Sequence, residues 1–117
     1  MKNVAQYIAI ALIAGCASVP PPTEQVALSK AAVANAVSAG AQEFAAPDLR
    51  SAQDKLERAN LAMVAKDYES ALWLAEHAQV DAELAGARSR AAKAEKAVQA
   101  VQEDSRVLRE ELNRKSK

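Results

Sequence analysis

From Tyr68 the chain runs 45 residues to Leu112 without a proline and with a single glycine, Gly86. A helix that starts there meets nothing to stop it, and at 1.5 Å per residue it becomes a rod of about 65 Å. Asp67, just upstream, is a good N-cap for it. Two registers can be followed along the rod. An early stripe joins Tyr68, Leu72, Ala75, Ala78 and Ala82. A second starts at Trp73 and passes through His77, Val80, Leu84, Ala87, Ala91, Ala94, Val98, Val101, Ser105, Leu108 and Leu112. Every step in it is three or four residues, the spacing of a heptad seam that is ordinarily buried against another helix.

What precedes this rod is too short to cover it. Thr23 reads as an N-cap with Glu24 in the first turn, and a first helix is expected over 24–44. Its stripe is Val26, Val33, Val37 and Phe44, with Gly40 on the same face either to admit a neighbouring helix or to mark fraying near the helix end. Ala46-Pro47-Asp48 breaks and restarts the chain. A second helix is expected over 47–65, with Leu49, Ala52, Leu56, Ala59 and Met63 on one narrow face. Lys66-Asp67 is the next turn. Each of these helices is about 30 Å long. The stripe over 91–112 is therefore left without a partner in its own chain. Self-association, a partner protein or a mobile single helix are the three ways to account for it. The fold expected is all-α: a three-helix arrangement, two shorter helices packed on one long C-terminal helix whose distal half projects as a coiled-coil-like rod.

Composition fits that plan. Half the chain is hydrophobic but only 3% is aromatic, because the apolar content is mostly alanine. Alanine is the best helix former and buries little area per residue, so long helices are favoured over a thick core. Tyr68, Trp73 and Phe44 are the large aromatics of the helical part; they read as core anchors or as a contact patch for a partner.

The first 22 residues have a different character. Lys2 precedes an apolar stretch over 4–13, too short to span a bilayer, which needs about 20 residues; this is the plan of a secretory signal. It ends in Ile13-Ala14-Gly15-Cys16, which resembles the lipobox of bacterial lipoproteins, and Cys16 is the only cysteine. The resemblance implies cleavage between Gly15 and Cys16 and a diacylglycerol on the Cys16 thiol. It also implies outer-membrane sorting, since Ala17 stands where an aspartate would retain an enterobacterial lipoprotein in the inner membrane. Pro20, Pro21 and Pro22 then form a stiff extended spacer. The organisation expected is a signal peptide over 1–15, a lipidated cysteine and tether over 16–22, a hairpin core over 23–86, and a projecting helix with a basic tail over 87–117.

Little in the sequence points to chemistry. Net charge is zero, which gives no case for nucleic acid, although acids prevail over 42–86 and bases over 87–117. Zinc needs three or four ligands, and His77 and Cys16 are the sole histidine and cysteine. No catalytic constellation is present. The chain is not expected to be an enzyme or to bind a metal or cofactor, apart from the covalent lipid. His77 reads as a partly buried packing residue or a modest pH sensor.

Two turns carry a further resemblance. Gly40-Ala41, Phe44-Ala45-Ala46-Pro47-Asp48-Leu49, Ala52, Leu56 and Ala59, followed by Asp67-Tyr68, Ala71-Leu72, Ala75-Glu76, Ala78, Asp81-Ala82 and Leu84-Ala85, resemble an uncharacterised envelope family, the domain of unknown function four-three-nine-eight. The specific core is the Ala-Pro-x-Leu turn and the Asp-Tyr-x-x-Ala-Leu helix start, and the resemblance extends over about 23–111. It implies a short bacterial lipoprotein and no assigned activity. Some members carry a murein-binding domain like that of outer-membrane protein A, which this chain lacks.

The function expected is a structural or adaptor module, lipid-anchored on the periplasmic face of the bacterial outer membrane. Its contact residues, toward an envelope protein or a second copy, would be Trp73, Val98, Val101, Leu108 and Leu112. The alternative is a murein tether resembling Braun-type lipoproteins, joined to peptidoglycan through Lys117.

Overall fold

The computed structural model describes residues 18–117; the Ile13-Ala14-Gly15-Cys16 run and Ala17 lie outside them. Among the described residues there are four helices: α1 Thr23–Ser38, α2 Ala41–Phe44, α3 Ala46–Val64 and α4 Tyr68–Lys115. The fold is all-α, with shorter helices packed on one long C-terminal helix. Gln25 of α1 donates to Gln79 at 2.8 Å, and Glu43 of α2 lies 3.8 Å from Lys96. The α1–α2 limb thus runs in the same direction as α4. Going along α3, Asp48 meets Arg88 and Ser51 then meets Asp81, so α3 runs antiparallel to α4.

The expected helix over 24–44 is two helices. Gly40 takes the left-handed conformation, φ +91°, and its N–H donates to the Val37 carbonyl. That is how a glycine ends a helix. A side chain there would also strike Lys93, whose Nζ lies 2.7 Å from the position a Cβ would take. Gly40 is therefore a turn residue, and the room it leaves is taken by the Lys93 side chain of the neighbouring α4. Thr23 is the first residue of α1, with Pro22 in the cap position and no side-chain cap. The Pro22 carbonyl accepts from the Val26 N–H at 3.0 Å and the Thr23 N–H donates to the Pro21 carbonyl at 2.9 Å, so a tight turn at Pro22, ψ 50°, opens the helix in place of the extended conformation expected there.

The other two boundaries fall close to where the sequence places them. Ala46-Pro47 starts α3 with proline in the first turn. Its end is a Schellman closure: Asp67 N–H donates to the Ala62 carbonyl, and Lys66 N–H to that of Met63. Lys66 holds the left-handed position at φ 59°. Asp67 then caps α4 by accepting from the Ser70 N–H. Hydrogen bonds from the Ser70 side chain and backbone hold the Asp67 carboxyl below its ordinary pKa.

The core is a seam of small residues. Leu49 and Leu74 are the only buried side chains larger than serine among the described residues. The rest of the seam is alanine, Gly86 and two serines. On α4 the buried residues are Ala71, Leu74, Ala75, Ala78, Ala82, Ala85, Gly86 and Ser89, a stripe at helical spacing that ends there. Ser29 and Ser89 are fully buried and satisfy themselves, Ser29 Oγ donating to the Val26 carbonyl and Ser89 Oγ to that of Ala85. Neither hydroxyl needs a partner across the seam. The expected α1 stripe is only partly interior. Val26 and Val33 are half-buried and Val37 is exposed, while Ser29 and Ala36 face the seam. On α3 Leu49, Ala52 and Ala59 are buried, with Leu56 and Met63 half-buried.

Gly86 marks the closest approach. A Cβ built there would lie 3.7 Å from the Ala36 Cα, in ordinary contact, and 3.3 Å from the movable tip of Arg90. Gly86→Ala is therefore expected to be neutral or stabilising, since alanine is favoured in a helix by about 1 kcal/mol. Gly86→Leu has no room and should cost about 1–3 kcal/mol. Thermal unfolding of the two variants checks both signs.

Candidate interaction surface

The far side of α4 carries the surface that matters. Val80 and Leu84 each stand two residues beyond a buried alanine, Ala78 and Ala82. Two residues are a turn of about 200° around the helix, which puts both on the side away from α1 and α3. Both are exposed, as is Trp73 at 53%. The register that starts at Trp73 is thus continuous but faces outward, and Trp73 is not a core anchor. Tyr68 and Phe44 are half-buried. His77 is exposed, its ring 4.0 Å from that of Trp73, with Nδ1 donating to the Trp73 carbonyl at 2.8 Å.

Farther along, the same register contains Val98, Val101, Leu108 and Leu112, exposed at 55%, 65%, 64% and 68%. From Lys93 to Lys117 only Ser105 and Glu111 are even half-buried. The last contacts from the body come from α2, where Lys93 and Lys96 lie 5.9 and 5.6 Å from the Phe44 ring centre, a cation–π arrangement. Beyond Lys96, α4 stands by itself for about 30 Å. Lys117, at the tip, is exposed and lies past the end of the helix.

The charges divide by face. On the outer side of the distal segment Arg106 bridges Glu103 and Glu110, and its hydrogen bonds hold the Glu103 carboxyl below its ordinary pKa. Arg114 pairs with Glu111. Arg90, Glu95, Asp104 and Arg109 border the apolar stripe, and none has an ion pair among the described residues. Sequence reading alone does not separate these two sets, because both look like ordinary helix charges.

One polar clasp ties α3 to α4, and sequence reading missed it. Lys55 and Ser51 both donate to Asp81, Ser51 Oγ at 2.6 Å, and Lys55 also donates to Ser51 at 3.0 Å. Burial pushes the Asp81 carboxyl up, but the bonds from Lys55 and Ser51 and the Lys55 charge together outweigh it and hold the pKa below its ordinary value. About two turns farther along α4, Arg88 donates to both carboxylate oxygens of Asp48 at 2.7 Å. The i, i+4 spacing of Ser51 and Lys55 was the available signal, but its partner 26 residues away from Lys55 needs the hairpin.

No cluster that could hold a metal occurs among the described residues. No described helix is long and apolar enough to cross a membrane. A family model described as a domain of unknown function matches residues 24–101, which takes in both turns and ends at Val101 on the exposed stripe. No curated protein and no solved structure matches the chain.

The clasp predicts a pH dependence. A depressed carboxyl pKa contributes stability that is complete above the unfolded value, about 3.9, and is lost as pH falls through the lower folded value. Lys55→Met should therefore lower stability by about 0.5–1 kcal/mol near neutrality. The gap between variant and wild type should narrow as pH falls below the unfolded value and close below the lower folded value. Thermal melts over that range measure it.

Proposed function

This chain belongs to the domain-of-unknown-function family DUF4398, and from that premise we propose that it is a non-enzymatic lipoprotein of the bacterial outer membrane. In this reading lipid on Cys16 holds it at the periplasmic face. It acts as a structural or adaptor module whose long helix offers a contact surface within the envelope. The observation that carries the proposal is the apolar stripe on the free side of α4, which runs from Trp73 to Leu112 with only His77 and Ser105 interrupting it and with its large hydrophobic residues exposed. Aligned exposed apolar residues over this length mark a contact surface rather than scattered surface hydrophobics. The shape supports the same reading, because a helix reaching beyond its own hairpin places that surface at a distance from the point of attachment. The Ile13-Ala14-Gly15-Cys16 run supports the anchor, Ala17 the outer membrane, and Pro20, Pro21 and Pro22 a stiff stem. One acyl chain gives only marginal binding, so stable attachment takes the two or three that a lipoprotein cysteine carries.

Cell fractionation tests the anchor. Cys16→Ser is expected to move the chain from the detergent-soluble envelope to the soluble fraction; retention in the envelope would overturn the lipid reading. The tether alternative is favoured by one observation, that Lys117 is exposed beyond the last turn of α4, where its amine is open to acylation. Deleting Lys117 is expected to leave detergent extraction unchanged. A chain that becomes fully extractable only after the deletion is a murein tether instead.

A further inference from the structure

We propose that the occupant of the exposed α4 stripe is a second copy of this chain, aligned parallel and in register as a two-stranded coiled coil over residues 84–112. This rests on reading the stripe as a contact surface, as above, and goes beyond it by naming the partner, the orientation and the register.

The argument starts from spacing. Leu84, Ala91, Val98, Ser105 and Leu112 recur every seven residues, as do Ala87, Ala94, Val101 and Leu108 three residues after each. These are the a and d positions of four successive heptads. A straight α-helix drifts about 20° per heptad away from such a repeat. A strict heptad held this long keeps to one line only when two helices wind around each other. A partner with a flat or concave surface does not demand it.

The flanking charges select the partner. In a parallel pair, the residue before each a position faces the residue five places later on the other helix. Arg90 then meets Glu95 of the second copy, and Asp104 meets Arg109. Each pair occurs twice by the two-fold symmetry of a homodimer. These four residues border the stripe and, like Glu83 before Leu84, have no ion pair among the described residues of their own chain, whereas the bordering Arg88 and Glu111 and the outer charges Glu103, Arg106 and Glu110 are paired within it. A slip of one heptad sets Glu83 against Glu95 in one direction and Arg90 against Arg88 in the other, so the charges also fix the register. The intervening flank positions, Ala97 and Gln102, are uncharged and oppose nothing.

The body explains where the coil begins. Upstream, the positions that follow each d residue are committed to α3: Leu74 is buried, Asp81 is clasped by Lys55 and Ser51, and Arg88 is held by Asp48. Glu95 is the first of that series left open. Most of the side that packs α1 and α3 lies opposite the stripe, and α3 reaches only one of its edges, at Leu74, Asp81 and Arg88, so the hairpins lie to the outside of a central pair of helices.

Disulfide trapping tests this in the full chain, purified in mild detergent and carrying Cys16→Ser so that an added cysteine stands alone. In a parallel in-register pair the two Ser105 positions face each other, within the 4.4–6.8 Å Cα separation that a disulfide spans. Ser105→Cys is expected to give a covalent dimer on mild oxidation, at about tenfold the yield of Gln99→Cys on the outer face. Arg90→Glu should lower that yield, and Arg90→Glu with Glu95→Arg should restore it. No dimer at Ser105→Cys, equal yields at both positions, or failure of the charge swap to restore crosslinking would each overturn the proposal. The failure of the lipid reading is seen separately, in where Cys16→Ser fractionates, and leaves these crosslinks unaffected.

Discussion

Alanine-to-alanine contact between α4 and the two helices beside it is the interaction on which the molecule depends. A side chain of one carbon removes little surface from water, about 25 cal/mol for each Å². Such a seam holds only if the backbones come close enough for their own atoms to touch. Gly86 against Ala36 and the self-bonded hydroxyls of Ser29 and Ser89 are what closeness requires: nothing in the seam projects, and nothing in it asks for a partner. The two leucines, Leu49 and Leu74, sit in separate clusters, each anchoring one end of the contact. The Asp81 clasp and the Asp48–Arg88 pair border the same seam on α3 and set the level of α3 along α4, which sliding alanines alone would define poorly.

That economy explains how much was legible in the sequence. The α3 and α4 starts could be read because Pro47 and Asp67 act locally, through a fixed φ and a side-chain cap. The break at Gly40 was missed because a lone glycine inside an apolar pattern is compatible with a close approach as well as a turn. Only the carbonyl of Val37 and the Lys93 side chain decide between them. The face of α4 that packs was harder still. Large residues usually mark the inside, yet here Trp73, Val80 and Leu84 lie outside and the alanines between them lie inside. Periodicity placed Ala75, Ala78 and Ala82 on the packed face, but it put the half-buried Tyr68 and Leu72 beside them and did not reach Ala71, Leu74, Ala85, Gly86 or Ser89.

The distal part of the candidate surface was accessible from sequence in its positions and in its exposure, because the two helices before it are too short to cover 91–112; the exposure of the part nearer Trp73 was not. Val98, Val101, Leu108 and Leu112 could be assigned to one line by counting. That the line continues back to Trp73 on the free side of the body required the hairpin to be in place. So did the distinction between charges that satisfy one another along the helix and charges that do not. An ion pair three or four residues apart is readable in a sequence. A charge left over is recognisable only when every neighbour has been seen.

The unbroken course of α4 past Ser89 has a further consequence, for how such chains can vary in length. Rise and rotation in an α-helix are locked together, so any residue gained or lost beyond the hairpin changes both the reach of the tip and the compass bearing of everything after it. Three or four residues would turn the outer valines and leucines by roughly a sixth of a circle or less while moving them about 5 Å; one or two would turn them by about 100° or about 160°. Seven residues shift the tip by about 10 Å and return it to nearly the same bearing. The span of the projecting arm is thus quantised: a change of about 7 or about 11 residues keeps its face within about 20°, and most other lengths turn it away.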